Sequence, residues 1–212
     1  MNRRAFLVSA AGCGVTAVAG CSSLFEASRP DELEGIDPES QLSTPTLGSG
    51  DVTVDVYEDL GCRYCHEFQA DVFPDLEASY LETGGITYRH FDFPVEAADE
   101  SVAMANAARA VQAETGTDDD SNGQFFEYRS AVIEHDDWSD EALAELAESV
   151  GVDPASVSSA LADETYYPTL AADWDRGAEA GVERTPTVVV DGEIVDEPLE
   201  FDEISDAIDD AS

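Results

Sequence analysis

A run of alternating valines leads directly into a Cys-x-x-Cys pair. Val52, Val54 and Val56 alternate with Thr53, Asp55 and Tyr57, the period of two that marks a strand with one buried face. Glu58-Asp59-Leu60-Gly61 follows, then Cys62-Arg63-Tyr64-Cys65-His66. From Cys62 to about Leu81 the pattern is helical, with Phe68, Val72, Leu76 and Tyr80 on one face. Pro74 lies inside this stretch and should kink it. The chain must therefore turn from strand to helix at two thiols. Packing alone does not call for such a pair, so it needs a redox or metal explanation. Cys62, at the helix start, faces unpaired backbone N–H groups and the positive end of the dipole, which stabilise a thiolate. Cys65 falls nearly one turn further on, close to Cys62 but deeper.

Gly84-Gly85 ends the helix, and Ile86-Thr87-Tyr88-Arg89-His90-Phe91 reads as a second strand. Residues 97–181 are helical in character. Within them Phe125, Tyr128 and Val132 share a face, Ser139 and Asp153-Pro154 are helix starts, and Gly151 is a stop. Leu170 and Trp174 belong to a last helix that runs towards Gly181. Thr187-Val188-Val189-Val190 is a third strand, Asp191-Gly192 a hairpin turn and Glu193-Ile194-Val195 the return. Phe201, Ile204 and Ile208 form the apolar stripe of a C-terminal helix. No internal repeat is visible.

The ends and the charge say where such a chain works. Arg3-Arg4 precedes an uncharged stretch, Phe6 to Gly20, that is too short for a membrane span but suits a signal core. The arginines resemble a twin-arginine export signal, and Val18-Ala19-Gly20-Cys21 resembles a lipobox that would lipidate Cys21. Residues 1–20 are thus expected as a signal, 21–46 as a flexible tether, and 47–212 as the domain. The expected place is the extracytoplasmic face of the cell membrane, anchored by lipid on Cys21. Cys13 would leave with the signal and Cys21 would be blocked, so Cys62 and Cys65 remain as the only thiols, in a compartment that permits their oxidation.

The chain has 48 acidic residues and nine arginines, with no lysine, for a formal net charge of −39. The acids are spread along the whole length, which fits adaptation to concentrated salt, as in an extreme, archaeal halophile. Self-repulsion would be strong in dilute buffer and is screened when the Debye length falls to roughly 3 Å at 1 M salt. With no basic patch, nucleic-acid binding is not expected.

Taken in order, a Cys-x-x-Cys after the first strand, Thr185-Pro186 before the third and an Asp191-Gly192 hairpin after it resemble the thioredoxin fold. The helical block resembles that of the DsbA-like thiol oxidoreductases, and the stretch Gly181 to Gly192 is particularly similar. The resemblance covers about residues 48–211. It implies an α/β fold with a helical insertion, about 97–181, between the second and third core strands. It also implies a disulfide oxidoreductase that needs no cofactor beyond a Cys62–Cys65 disulfide. Cys62 would be the nucleophile and Cys65 the resolving thiol, working through a mixed disulfide with the substrate. Pro186 would be cis, and Thr185 would offer its backbone to an extended substrate. The partners implied are exported protein thiols and disulfides and an unidentified redox partner, met by a monomer. Arg63, Tyr64 and Arg184 stand where they could tune the Cys62 thiolate. Many relatives carry a buried acid at the position of Val56, so Asp59 is the candidate proton acceptor for Cys65.

Two other chemistries fit the motif by itself. Cys62-Arg63-Tyr64-Cys65-His66 matches a c-type haem attachment pattern, with His66 as axial ligand and Met104, His90 or His135 opposite. The haem reading leaves the Thr-Pro, the hairpin and the strand order unexplained. Copper delivery by a membrane-tethered thioredoxin-like protein would use Cys62, Cys65 and a distant histidine. A purely structural disulfide is disfavoured, because so small a loop adds little by closure.

Overall fold

The computed structural model describes residues 27–212; the expected signal and the lipid site at Cys21 lie outside them. Five strands form one sheet in the order β1-β3-β2-β4-β5. They are β1 (Thr46–Gly48), β2 (Val52–Glu58), β3 (Ile86–Asp92), β4 (Thr187–Val190) and β5 (Glu193–Ile194). β2 and β3 run parallel, with Val56 opposite His90 and Glu58 opposite Asp92. Parallel neighbours need a crossover, and the helical stretch between them supplies it. The hairpin Asp191-Gly192 closes β4 onto β5 with both residues at positive φ, 46° and 94°, as a tight two-residue turn requires.

The crossover begins as α1 (Arg63–Glu67) and continues through α2 (Phe73–Leu76) to Leu81, with wide π-type turns at Phe68–Val72 and Glu77–Leu81. Pro74 sits at the second residue of α2, so the widened turns flank the proline that removes a backbone donor. Phe68, Val72 and Leu76 pack with Val52, Val54, Val56, Val188, Val190, Ile204 and Ile208 into one core. The last two belong to α8 (Phe201–Ala211).

The helical insertion comprises α3 (Ser101–Thr115), α4 (Phe125–Ile133), α5 (Asp140–Leu146), α6 (Pro154–Ala162) and α7 (Tyr167–Glu179). Ser139 and Asp153 cap α5 and α6 through their side chains. Phe125, Tyr128 and Val132 join Met104, Val111, Leu143 and Val157 in a second core. α7 lies tight against the other sheet face: a Cβ on Gly177 would fall 2.6 Å from the Phe93 ring. The thioredoxin-like fold with its insertion between the second and third core strands is thus present.

Two features depart from the sequence reading. β1 was not expected; its three residues carry too little pattern, and pairing with β3 creates the strand. Residues 27–46, the described part of the expected tether, are laid along the domain instead. Leu33 is fully buried with Val102, Tyr167 and Leu170. Arg29 pairs with Asp175 at 2.8 Å. The Glu39 N–H donates to the Pro168 carbonyl, and Gln41 bonds Thr165 and Thr169. Two isolated apolar residues, Leu33 and Ile36, find a groove that no periodicity announces.

Candidate active site

The loop between β2 and α1 is held by Asp59. Its buried carboxylate accepts from the backbone N–H of Gly61 and Val95, each at 2.8 Å, and of Ala97 at 3.2 Å. Its carbonyl accepts from the Cys62 N–H at 2.9 Å. A Cβ on Gly61 would fall 2.6 Å from that of Ala98, so glycine lets the loop press onto the start of the insertion. Cys62 is the N-cap of α1, as the spacing predicts.

Cys62 is 7 % exposed and Cys65 fully buried, both as free thiols. Cys62 Sγ donates to the Thr185 carbonyl at 3.5 Å. The Thr185–Pro186 bond is cis, as the resemblance implies. The two thiols are driven apart. Cys62 is lowered from 9.0 to about 6, chiefly by a hydrogen bond from Cys65, against the cost of burial and with help from Thr185 and the α1 backbone. The buried Thr185 hydroxyl has no hydrogen-bond partner in the structure. Cys65 is pushed well up by burial, then by Cys62 and the charge of Glu58. Moving Cys62 from 9.0 to about 6 favours its thiolate by ~4 kcal/mol.

The proposed tuning residues sit differently. Arg63 lies on the surface with its guanidinium over the Tyr64 ring, 4.4 Å from the centroid. Arg184 is exposed and donates to the Asp196 carbonyl at 2.6 Å. Neither arginine is among the main groups that lower Cys62, which are its own helix and neighbours. Tyr64, 45 % exposed, lines a cleft of about 290 Å³ with Arg184, Thr185, Pro186, Glu197, Pro198 and Leu199. That cleft opens beside Cys62.

The acid beside Cys65 is Glu58, not Asp59. Asp59 spends its carboxylate on three backbone donors, whereas Glu58 ends the inward stripe Val52-Val54-Val56 and is buried. Gln69 donates to its Oε1 at 2.9 Å and Arg129 to its Oε2 at 2.8 Å. Burial would raise it, but Arg129, His90 and Gln69 together hold it below the ordinary range. Val56 carries no acid, but the same period of two along β2 reaches Glu58.

Behind Glu58 lies a buried charge network that the sequence reading does not find. His90 stands between Glu58 and Asp92, each 3.1 Å away. Arg109 reaches Asp92 and Asp173, both at 2.6 Å. Burial opposes ionisation of Asp92, but Arg109 prevails and holds it at about 2. Asp173 is raised to about 6 by burial, which Arg109 only partly offsets.

The residues named for haem or copper are committed elsewhere. His66 Nε2 donates to the Leu60 carbonyl at 2.6 Å. His90 and Met104 are fully buried, and the exposed His135 ring accepts from the Asp137 N–H. No cluster of three or more metal-binding side chains occurs among the described residues.

A family model described as thioredoxin matches residues 43–210. The disulfide bond formation protein D of Bacillus subtilis is 26 % identical over 170 residues, covering 77 % of this chain and 75 % of that protein. The oxidised BdbD crystal structure from the same organism superposes with a TM-score of 0.70 at 23 % identity, over 82 % of this chain and 97 % of that one. The DsbA of Chlamydia trachomatis gives 0.70 at 23 %, over 82 % and 92 %. The chain belongs to the thioredoxin family, in the DsbA-like form that carries the helical insertion.

Proposed function

We propose that this member of the thioredoxin family is a thiol-disulfide oxidoreductase that donates the Cys62–Cys65 disulfide to exported proteins. The observation that carries the reading is the split between the two thiols. Cys62, at a helix N-terminus beside an open cleft, is held to about 6, while Cys65, one turn behind it, is sealed and pushed up. A low-lying nucleophile stabilises the reduced form, which makes the disulfide the more oxidising. The similarity to a disulfide bond formation protein supports the same reading.

In the donating direction a substrate thiolate attacks Cys62 Sγ, the S–S bond breaks, and its electron pair goes to Cys65. A second substrate thiolate then attacks the mixed disulfide and releases Cys62 as a thiolate that needs no proton near neutral pH. Thr185 and Pro186 present backbone to an extended substrate segment, and Tyr64, Pro198 and Leu199 give its side chains an apolar wall. Glu58, in place of Asp59, is the acid–base group for Cys65. Lipid on Cys21 would tether the protein to the outer membrane face, and the spread of surface acids suits concentrated salt.

Equilibration with glutathione or dithiothreitol buffers in concentrated KCl tests the activity. An oxidising potential is expected. A strongly reducing one would make the protein a reductase instead, and no reversible two-electron couple would end the reading. Cys21→Ala is expected to release the protein from the membrane fraction; retention there would remove the anchor.

A further inference from the structure

The buried network behind Cys65 holds more than one acid–base residue. His90 is fully buried, with Nδ1 facing Glu58 Oε2 and Nε2 facing Asp92 Oδ1, each at 3.1 Å. A neutral imidazole has one N–H, so it would set a lone pair against one of the two carboxylates; the imidazolium donates to both. The charged groups around it come from every neighbouring element. Glu58 lies on β2, Asp92 and the buried Tyr88 on β3, Arg129 on α4, Arg109 on α3 and Asp173 on α7, and the charge of Glu58 reaches the Cys65 thiol on α1. The Phe125 ring packs 5.1 Å from the imidazole and completes the enclosure. With His90 protonated, three carboxylates face three cations, and the interior is balanced.

Opening the disulfide upsets that balance. The electron pair that leaves the S–S bond makes Cys65 a thiolate, out of contact with water and beside the Glu58 carboxylate. Two adjacent buried anions are costly, and a proton must come from within reach. We propose that His90 is a positioning residue for the exchange reaction, storing the proton that offsets the charge appearing on Cys65 and delivering it through Glu58. The Nδ1 proton moves to Glu58 Oε2 as the Cys65 thiolate forms, Glu58 passes it to Cys65, and the neutral ring regains a proton from solvent. The protein gains one proton for each disulfide opened, in balance with the thiol formed. A cleft of about 340 Å³ lined by His66, Gln69 and Arg129 reaches the two side chains that hold Glu58, and it gives solvent its approach.

This inference rests on the oxidoreductase reading, and one set of experiments separates the two. Oxidised wild type and His90→Gln are reduced by dithiothreitol across pH 5–9, with rates divided by the fraction of ionised thiol. His90→Gln is expected to be slower by about 100-fold near neutral pH, the lower end of the range for a lost general acid, and to lose the pH dependence that wild type shows. Alkylation of reduced Cys62 should keep its midpoint near 6, marking an intact site. A folded variant within twofold of wild type, with the same pH profile, would overturn the proposal. Should His90→Gln not fold, the double variant His90→Gln/Asp92→Asn removes one charge of each sign and takes its place. On wild type itself, 15N spectra of the oxidised protein should show both His90 ring nitrogens protonated at pH 7; a neutral ring would equally overturn it. Failure of wild type to exchange at all would instead sink the oxidoreductase reading.

Discussion

The mouth and the floor of this site obey different rules. At the mouth, Cys62, Thr185 and Pro186 lie buried just behind the cleft that the exposed Tyr64 lines, and the charged side chains nearby, Arg63 and Arg184, make contacts that leave the thiol alone. At the floor, Cys65, Glu58, His90, Asp92, Arg109 and Arg129 are sealed, and each carboxylate has a cation within 3.1 Å. Charge at the surface is screened, the more so in concentrated salt. Charge in the floor is not, and an unmatched one is expensive. An acid-rich protein can thus carry most of its acids unpaired outside while matching them closely within.

Breaking the mouth should stop the reaction and leave the fold. Cys62→Ser is expected to abolish disulfide exchange with a reduced test protein, and Cys65→Ser to leave Cys62 trapped in a mixed disulfide visible by mass spectrometry. Breaking the floor should do the reverse. Arg109→Leu strands Asp92 and Asp173 and is expected to cost about 3–5 kcal/mol in denaturant unfolding; a loss under 1 kcal/mol would show the network to be dispensable.

The pH dependence sharpens the contrast. Cys62 lies below its ordinary 9.0, at about 6 in the folded reduced protein. Its contribution is therefore present above pH 9, shrinks as pH falls towards 6 and vanishes below that. The stability of the reduced form relative to the oxidised form should rise by ~4 kcal/mol between pH 6 and 9, measured by paired unfolding curves. Asp92 works in acid. Held at about 2 against an ordinary 3.8, it stabilises the fold above pH 4, and that support is lost as pH falls towards 2. Over that interval it is worth ~2.5 kcal/mol, which Asp92→Asn should erase from the acid limb. Arg63→Ala comes last. With its guanidinium on Tyr64 in solvent, it is expected to change the Cys62 midpoint by less than experimental scatter; a clear rise would return surface charge to a tuning role.

The mouth was readable because its signals are local. A strand ending at two thiols, a proline after threonine and an Asp-Gly turn each sit within a few consecutive residues. The floor was not, because its members lie on β2, β3, α3, α4 and α7 and, His90 and Asp92 apart, no window of sequence holds two partners together. Arg109 sits within an alanine-rich helix and Arg129 beside Tyr128, where either could pass for a solvated charge. Glu58 alone left a trace, as the next inward position after Val56. β1 and the packed stretch 27–46 escaped for the same reason, since their partners are Arg89, Thr169 and Asp175, distant in the chain.

Hydrophobic periodicity, turn residues and the thiol spacing determined the strand and helix order, the insertion and the identity of the two cysteines, because each depends on neighbours in the chain. Which acid serves Cys65, which arginines are buried and where His90 stands were decided only by the tertiary structure. A buried charge is tolerable only beside its counter-charge, and that partner is brought by folding.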